Sequence, residues 1–193
     1  MQKENPITAI ILAGGKSSRM GQDKGFLMFQ NKTFIKHTID AVTPITETII
    51  IASNKKEYDI FGYQRVNDAI EDAGPLSGIV SGLKASQTRY NLVVTCDVPL
   101  LTTEVLMLLI KNISAEDKII QLKTKTHQMP LLALYPASCL PVLEKSLLSG
   151  NRKVKIALQN CKVQSVVVDS CLEKNIENIN TQKQFKQLNE NSR

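Results

Sequence analysis

Three groups of residues in this chain have types and spacing that could do chemistry. The first is Ala13-Gly14-Gly15-Lys16-Ser17-Ser18-Arg19-Met20-Gly21-Gln22-Asp23-Lys24, directly after the apolar run Ile10-Ile11-Leu12. Its glycines allow tight turning and expose backbone N–H groups that can form an anion-binding nest. Arg19 and Lys24 add two cations, so the loop suits a polyphosphate. Two familiar phosphate loops fail on spacing. A Walker A loop needs glycine where Ile10 stands, and a dinucleotide fingerprint needs Gly-x-Gly-x-x-Gly, whereas the glycines here are 14, 15 and 21. The competing reading is a turn whose charges merely solvate it.

The second group is Val93-Val94-Thr95-Cys96-Asp97-Val98-Pro99. An aspartate at the end of a buried strand, held before proline, can hold Mg²⁺ by one carboxylate while phosphates supply further oxygens. Capping of the following turn is the alternative. Cys96 has no cation or histidine beside it in sequence and reads as a packing residue. The third group, Asn67-Asp68 through Gly74-Pro75-Leu76-Ser77-Gly78, reads as a loop entering a helix. Pro75 suits the first turn, and Gly74 lets backbone approach a ligand or a neighbouring loop.

Composition narrows the classes that could use these groups. In 193 residues, Lys+Arg total 24 against Asp+Glu 18, a formal charge of +6, with 42% hydrophobic and 22% charged residues. That excludes wholesale disorder and allows a real core. The cations are scattered, the densest being Lys55–Lys56 and Arg152/Lys153/Lys155, with no basic arm interleaved with aromatics, so nucleic acid is not the expected partner. Two histidines, at 37 and 127, leave little scope for histidine-centred catalysis. Cysteines at 96, 139, 161 and 171 lack Cys-x-x-Cys spacing and read as reduced, which points to a cytoplasmic setting. No apolar run approaches the ~18 residues that span a bilayer. Ile7 to Ala13 follows Lys3, but Glu4 and Pro6 break any basic region, so it reads as a strand and not a signal peptide.

The elements that must position these groups alternate. Strands are expected at 8–13, 48–52, 64–66, 92–95, 118–122, 131–135 and 163–168. Helical faces run through Phe34, Ile35, Thr38, Ile39 and Val42, and through Leu76, Ile79, Val80 and Leu83; further helices fit 103–111, 137–148, 153–159 and a polar stretch after Thr181. The run 48–52 is β-branched and apolar on both faces, as a buried parallel strand requires. The expectation is a single α/β domain over 1–193, three layers with a mostly parallel sheet, and a frayed tail at 189–193. Ligands in such folds sit beyond the carboxyl ends of the strands, where all three groups fall.

The run Leu12-Ala13-Gly14-Gly15-Lys16-Ser17-Ser18-Arg19-Met20-Gly21, then Asp23-Lys24, closely resembles the Leu-Ala-Gly-Gly-x-x-x-Arg-Met-Gly…Lys signature of nucleotidyltransferases. The Asp-Lys pair narrows the resemblance to the molybdenum cofactor guanylyltransferases and their cytidylyl relatives. Cys96-Asp97-Val98-Pro99 resembles the Cys-Asp-x-Pro metal motif, Asp68…Gly74-Pro75-Leu76-Ser77-Gly78 the Asp…Gly-Pro-Leu-x-Gly segment, and Gly150-Asn151-Arg152-Lys153-Val154 the Gly-x-Arg-x-Val segment. Asn178-Ile179-Asn180-Thr181 matches Asn-x-Asn-Thr. The resemblance implies a Rossmann-like nucleotidyltransferase fold, with nucleotide binding mainly in 1–100 and acceptor binding mainly in 101–188. It implies that Leu12, Ala13, Gly14, Gly15, Lys24, Asn54, Asp68 and Asp97 bind the nucleotide. Arg19, Lys24 and Asp97 would be catalytic, Asp97 would hold Mg²⁺ (Mn²⁺ as the alternative), and Gly78, Arg152, Asn178 and Asn180 would meet the acceptor. Asn54 as an ordinary turn residue, Asn180 or Thr181 as a helix cap, and Arg152 on a solvated helix start are the competing readings. The sequence departs from the pattern at Met129-Pro130, where relatives often have His-Pro, and at Gln182, where they have Pro; both lie on the acceptor side.

A phosphomonoester acceptor has a second pKa near ~6 and is largely a dianion at neutral pH, so no general base is required. What impedes its attack on an α-phosphorus is repulsion between anions, which Mg²⁺ and fixed cations relieve. For the family this means GMP transfer from GTP to the terminal phosphate of molybdopterin, with pyrophosphate released. The partners are then GTP and molybdopterin, with other molybdenum cofactor biosynthesis or acceptor proteins beside them and neither nucleic acid nor membrane. A cytidylyltransferase on the same acceptor, a sugar- or polyol-phosphate nucleotidyltransferase, and a non-catalytic nucleotide-binding module stay open.

Overall fold

The computed structural model describes residues 6–14 and 23–190. At its centre is β1 (Ile7–Leu12), buried along its whole length, flanked by β4 (Ile49–Ala52) and β6 (Tyr90–Thr95). Beyond β4 lies β5 (Gln64–Val66); beyond β6 come β8 (Gln128–Pro136), β7 (Ile119–Lys123) and the edge strand β9 (Val163–Val167). Every neighbouring pair in this seven-stranded sheet is parallel except those of β8, which runs antiparallel to β6 and to β7. The reason is local. Only the turn 124–127 separates β7 from β8, too short for the crossover a parallel pair needs.

Alternation along β1 sorts the two faces. Ala9 and Ile11 join Ile35, Ile39 and Val42 of α1 (Phe34–Val42) and Val105, Leu106 and Leu109 of α3 (Thr103–Ile110). Ile10 and Leu12 face α2 (Pro75–Ala85), α4 (Leu140–Leu148) and α5 (Val154–Ala157). The sheet is thus covered on both sides, as the strand-helix alternation predicts. Each large aliphatic side chain so buried is worth about 1.5–3 kcal/mol.

Some expectations change. A small ribbon, β2 (Met28–Phe29) paired with β3 (Lys32–Thr33), turns through Gln30 and Asn31 at φ 46° and 62°. Its strands are too short to show alternation in the sequence. The helix expected over 137–148 opens with a 3₁₀ turn at Ala137–Cys139 before α4, and that expected over 153–159 divides into α5 and a 3₁₀ turn, Leu158–Asn160. The helix after Thr181 reaches into the expected tail: α6 (Gln182–Glu190) includes Asn189 and Glu190, and Asn189 Nδ2 donates to Phe185 O at 2.9 Å. Residues 191–193 lie outside the described residues.

Two glycines one turn apart on α2 let the helix approach the sheet closely. A Cβ on Gly82 would stand 2.5 Å from Ile10 Cγ2 and 3.0 Å from Cγ1; one on Gly78 would stand 3.1 Å from Leu12 Cδ2. Without those side chains α2 settles onto β1 and brings its N-terminus beside the end of that strand. Gly82→Ala should therefore lower the unfolding free energy by about 1–3 kcal/mol, despite alanine's better helix propensity. Urea denaturation checks this; a variant as stable as wild type would show that Ile10 yields freely.

Candidate active site

Parallel register brings three strand ends level. Leu12 pairs with Ala52 on one side and Thr95 on the other, and the ladder continues past the strands through Ala13 N to Ala52 O at 3.0 Å and Cys96 N to Leu12 O at 3.2 Å. Gly14, Asn54 and Asp97 consequently emerge along one edge. Gly14 has φ 95°, and a Cβ there would meet Ser53 Oγ at 3.0 Å, so both conformation and space call for glycine. Leu12 and Ala13 are buried beneath this edge. Gly15 and Arg19 lie outside the described residues.

Lys24 and Asp97 meet here. Lys24 Nζ lies 3.3 Å from Asp97 Oδ2 and donates to Asn180 Oδ1 at 2.5 Å, with side chains 15% and 29% exposed for Lys24 and Asp97. Asn180 arrives from the far end of the chain because Ile179 N donates to Asp97 O at 2.8 Å and the buried Ile179 packs with Leu27 and Phe34. Burial raises the Asp97 pKa above its ordinary 3.8, with nearby Asp23 adding to the rise and Lys24 opposing it. Cys96 is buried and its thiol pushed far up by that burial, in keeping with a packing role.

Lys24 sits in a 3₁₀ turn, Lys24–Phe26, whose N-cap is Asp23. Asp23 Oδ1 accepts from Gly25 N at 3.0 Å and from the Tyr58 hydroxyl at 2.8 Å, and Oδ2 pairs with Lys55 Nζ at 2.8 Å. Asp23 reached the sequence reading only as part of a motif, and Tyr58 and Lys55 not as site residues at all. No periodicity marks a contact that bridges two loops.

Asn54 and Asp68 hold each other: Asp68 N donates to Asn54 Oδ1 at 2.8 Å and Asn54 Nδ2 to Asp68 Oδ2 at 3.3 Å. The pair ties the loop after β4 to the loop before α2, so Asn54 is more than a turn residue. Burial, with Asp72 nearby, raises the Asp68 pKa. Ser77 Oγ fixes that second loop, accepting from Ile70 N at 2.7 Å and donating to Ile70 O at 2.9 Å.

The expected acceptor residues are not gathered in one place. Asn178 lines a cavity of about 670 Å³ with Thr95, His127, Met129, Pro130 and Lys174 among its walls. Asn180 points to Lys24. Thr181 caps α6 instead, accepting from Gln184 N at 3.2 Å while Gln184 Oε1 accepts from Thr181 N at 3.0 Å, a reciprocal capping box. Gln182 then falls on the first helical position, where proline is also tolerated, so this departure leaves the helix intact. Gly78 is buried, and a Cβ there would meet Leu12, Asp68 and Ala52 at 3.1–3.4 Å, so its place is one of close packing. Arg152 stands elsewhere, its Nη1 donating to Asp72 O at 3.3 Å.

The cavity wall has a specific origin. Between β7 and β8 the pairing jumps from Gln121–Ala133 to Leu122–Met129, a bulge that frees 130–132 from the ladder. The buried Tyr135 donates its hydroxyl to the Pro130 carbonyl at 2.8 Å and satisfies it. The sequence marked Met129-Pro130 as a departure but gave no sign of a cavity around it.

Among the described residues no group of three or more His, Cys, Asp or Glu could cage a metal. Asp97 offers a hard carboxylate oxygen at the sheet edge, a donor set that suits a cation sharing its shell with substrate oxygens.

Comparison with known proteins agrees with this geometry. The MobA-like NTP transferase domain family matches residues 9–165. A Flavobacterium johnsoniae protein named a probable molybdenum cofactor guanylyltransferase is 36% identical over 185 residues, covering 96% of this chain and 97% of its own. The Pseudomonas putida molybdenum cofactor guanylyltransferase is 32% identical over 165 residues, 83% of this chain and 86% of its own. Among solved structures, molybdopterin-guanine dinucleotide biosynthesis protein A from Archaeoglobus fulgidus shares the fold at a TM-score of 0.81 and 23% identity, covering 96% and 98% of the two chains.

The raised Asp97 pKa has a thermodynamic consequence. Ionised Asp97 subtracts from stability, not at all below 3.8, where folded and unfolded forms are both protonated, and in full above the raised folded value. Asp97→Asn should therefore match or exceed wild type in urea at pH 7, the difference shrinking as pH falls toward 3.8. Urea titrations across that range check the sign.

Proposed function

This chain belongs to the MobA-like NTP transferase family, and on that premise we propose that it transfers GMP from GTP to the terminal phosphate of molybdopterin, releasing pyrophosphate. The observation that carries the reading is the Lys24 ammonium held between Asp97 and Asn180, at strand ends that adjoin a cavity. The nucleotide then lies over 1–100, with the Gly14 backbone placing phosphates and the Asn54–Asp68 pair at the nucleoside end. Arg19 and Gly15 join the phosphate loop on the strength of their motif. The cavity walled by β8 and Asn178 supports an acceptor site in 101–188, close to Asp97 through Thr95.

Charge is the chemical problem, since a phosphate dianion must approach a triphosphate. Lys24 is poised to screen the triphosphate once it exchanges its hold on Asp97 for phosphate oxygens. Mg²⁺, or Mn²⁺ in its place, would draw further charge from the triphosphate when bound through Asp97. No side chain need take a proton, because the acceptor is already ionised. The histidines fit that economy: His37 Nε2 bonds the Phe29 carbonyl at 2.9 Å, and His127 stands in an exposed turn with Thr126 Oγ1 at 2.7 Å from Nδ1. No described helix is long and apolar enough to cross a membrane. The reading places the enzyme in the cytoplasm, with other molybdenum cofactor proteins delivering or receiving the pterin.

A screen of the four nucleoside triphosphates with molybdopterin and Mg²⁺, read as pyrophosphate release, tests the reading. GTP should be used, and Asp97→Ala should lower turnover by more than about tenfold. CTP use without GTP use would transfer the assignment to the cytidylyl relatives. Turnover untouched by Asp97→Ala, or by removal of divalent ions, would remove the metal from the account.

A further inference from the structure

The Asp23 carboxylate stands beside the one lysine of the described site that faces Asp97, and that nearness is a problem. An aspartate next in sequence to Lys24 could draw the ammonium to itself or repel an incoming triphosphate. The structure turns both of its oxygens elsewhere instead. Oδ1 accepts from the Gly25 amide and the Tyr58 hydroxyl, while the buried Oδ2 holds Lys55 as an ion pair at 2.8 Å and accepts no hydrogen bond among the described residues. Only Oδ1 is committed by hydrogen bonds, both to the turn and to Tyr58, and Lys24 finds its partners among the described residues in Asp97 and Asn180 instead.

Tyr58 is the rigid member of this set. It is fully buried, in the 3₁₀ segment Lys56–Phe61 that follows the Asn54 loop. Its ring lies 4.8 Å from that of Phe26 and 6.4 Å from that of Phe61. A Cβ on Gly25 would collide with the Tyr58 hydroxyl, so turn and phenol have been fitted to one another. Lys55, by contrast, is long and half exposed and fixes little by itself. Burial and the adjoining carboxylates push the phenol pKa far above its ordinary value, so the hydroxyl stays a donor.

We propose that Tyr58 is a positioning residue for Lys24, acting through Asp23: its hydroxyl sets the turn that presents the ammonium group to Asp97 and Asn180. The role in turnover rests on the reading above, in which Lys24 screens the triphosphate; the geometric role does not. One loop after β4 then serves the site twice, through Asn54 at the nucleoside end and through Tyr58 beneath the phosphates.

Tyr58→Phe keeps the ring and removes the donor. Trace acetylation with acetic anhydride, read lysine by lysine by mass spectrometry, should find Lys24 reacting about tenfold faster, with Lys32 and Lys162 unchanged. With GTP and molybdopterin, KM for GTP should rise about tenfold and kcat should change less. Tyr90→Phe is the control: it loses a buried hydroxyl bond to Ser114 O of 3.2 Å at the opposite end of β6 and should move neither quantity. Gly25→Ala, which displaces the hydroxyl from the other side, should reproduce the Lys24 labelling and serves if Tyr58→Phe does not fold. Unchanged Lys24 reactivity in the folded variants overturns the proposal. Wild-type protein that lacks GTP turnover counts against the guanylyltransferase reading, and the labelling still decides the role of Tyr58.

Discussion

Asp97 is held largely out of water with, among the described residues, one ammonium group for company, and much of the surrounding structure answers to that arrangement. Burying a carboxylate is unfavourable in free energy, and a single 3.3 Å contact offsets only part of the cost. The site is left with charge that the folded chain compensates only in part. Holding such a pair in place requires rigid surroundings. Asp97 is tethered through its backbone to Ile179, and Lys24 through its turn to Asp23 and Tyr58.

That rigidity comes from parallel strands in strict register and from a helix that touches one of them almost backbone to side chain. Leu12, Ala52 and Thr95 are level because β1 pairs with both neighbours without slip. Gly78 and Gly82 let α2 reach β1, and the Asp68 loop rides in with the helix. The C-terminal segment closes the assembly from outside, its Ile179 and Leu188 packed with Leu27, Phe29 and Phe34. Lys24 and Asn180, remote in sequence, therefore share one small volume.

What could be read in the sequence was whatever repeats or concentrates locally. The strands at 48–52 and 64–66, the face through Leu76, Ile79, Val80 and Leu83, and the loop 13–24 all announce themselves over a few residues. The Lys24–Asp97 meeting follows once both are placed after neighbouring strands. Tyr58 carries no such mark, because a buried tyrosine in a loop looks like any core aromatic until its hydroxyl is seen on Asp23. Gly78 is similar: its place in a motif is visible in the sequence, but its close fit to Leu12 and Asp68 is not. The cavity was invisible because it arises from a pairing irregularity between β7 and β8, which composition does not encode.

The irregularity in β8 divides the sheet into a part without slack and a part with it. Along β1, β4 and β6 a residue inserted or removed would throw the edge bearing Gly14, Asn54 and Asp97 out of line. In 130–132 the ladder is already relinquished, and the freed Pro130 carbonyl is answered by Tyr135 from within the same strand. The wall there can change its bulk or outline while Asp97 and Lys24 keep their places. Met129 stands on that wall. One side of the sheet thus serves as a fixed jaw and the other as an adjustable one, and on the proposed function the adjustable side is the one that would be refitted for different acceptors.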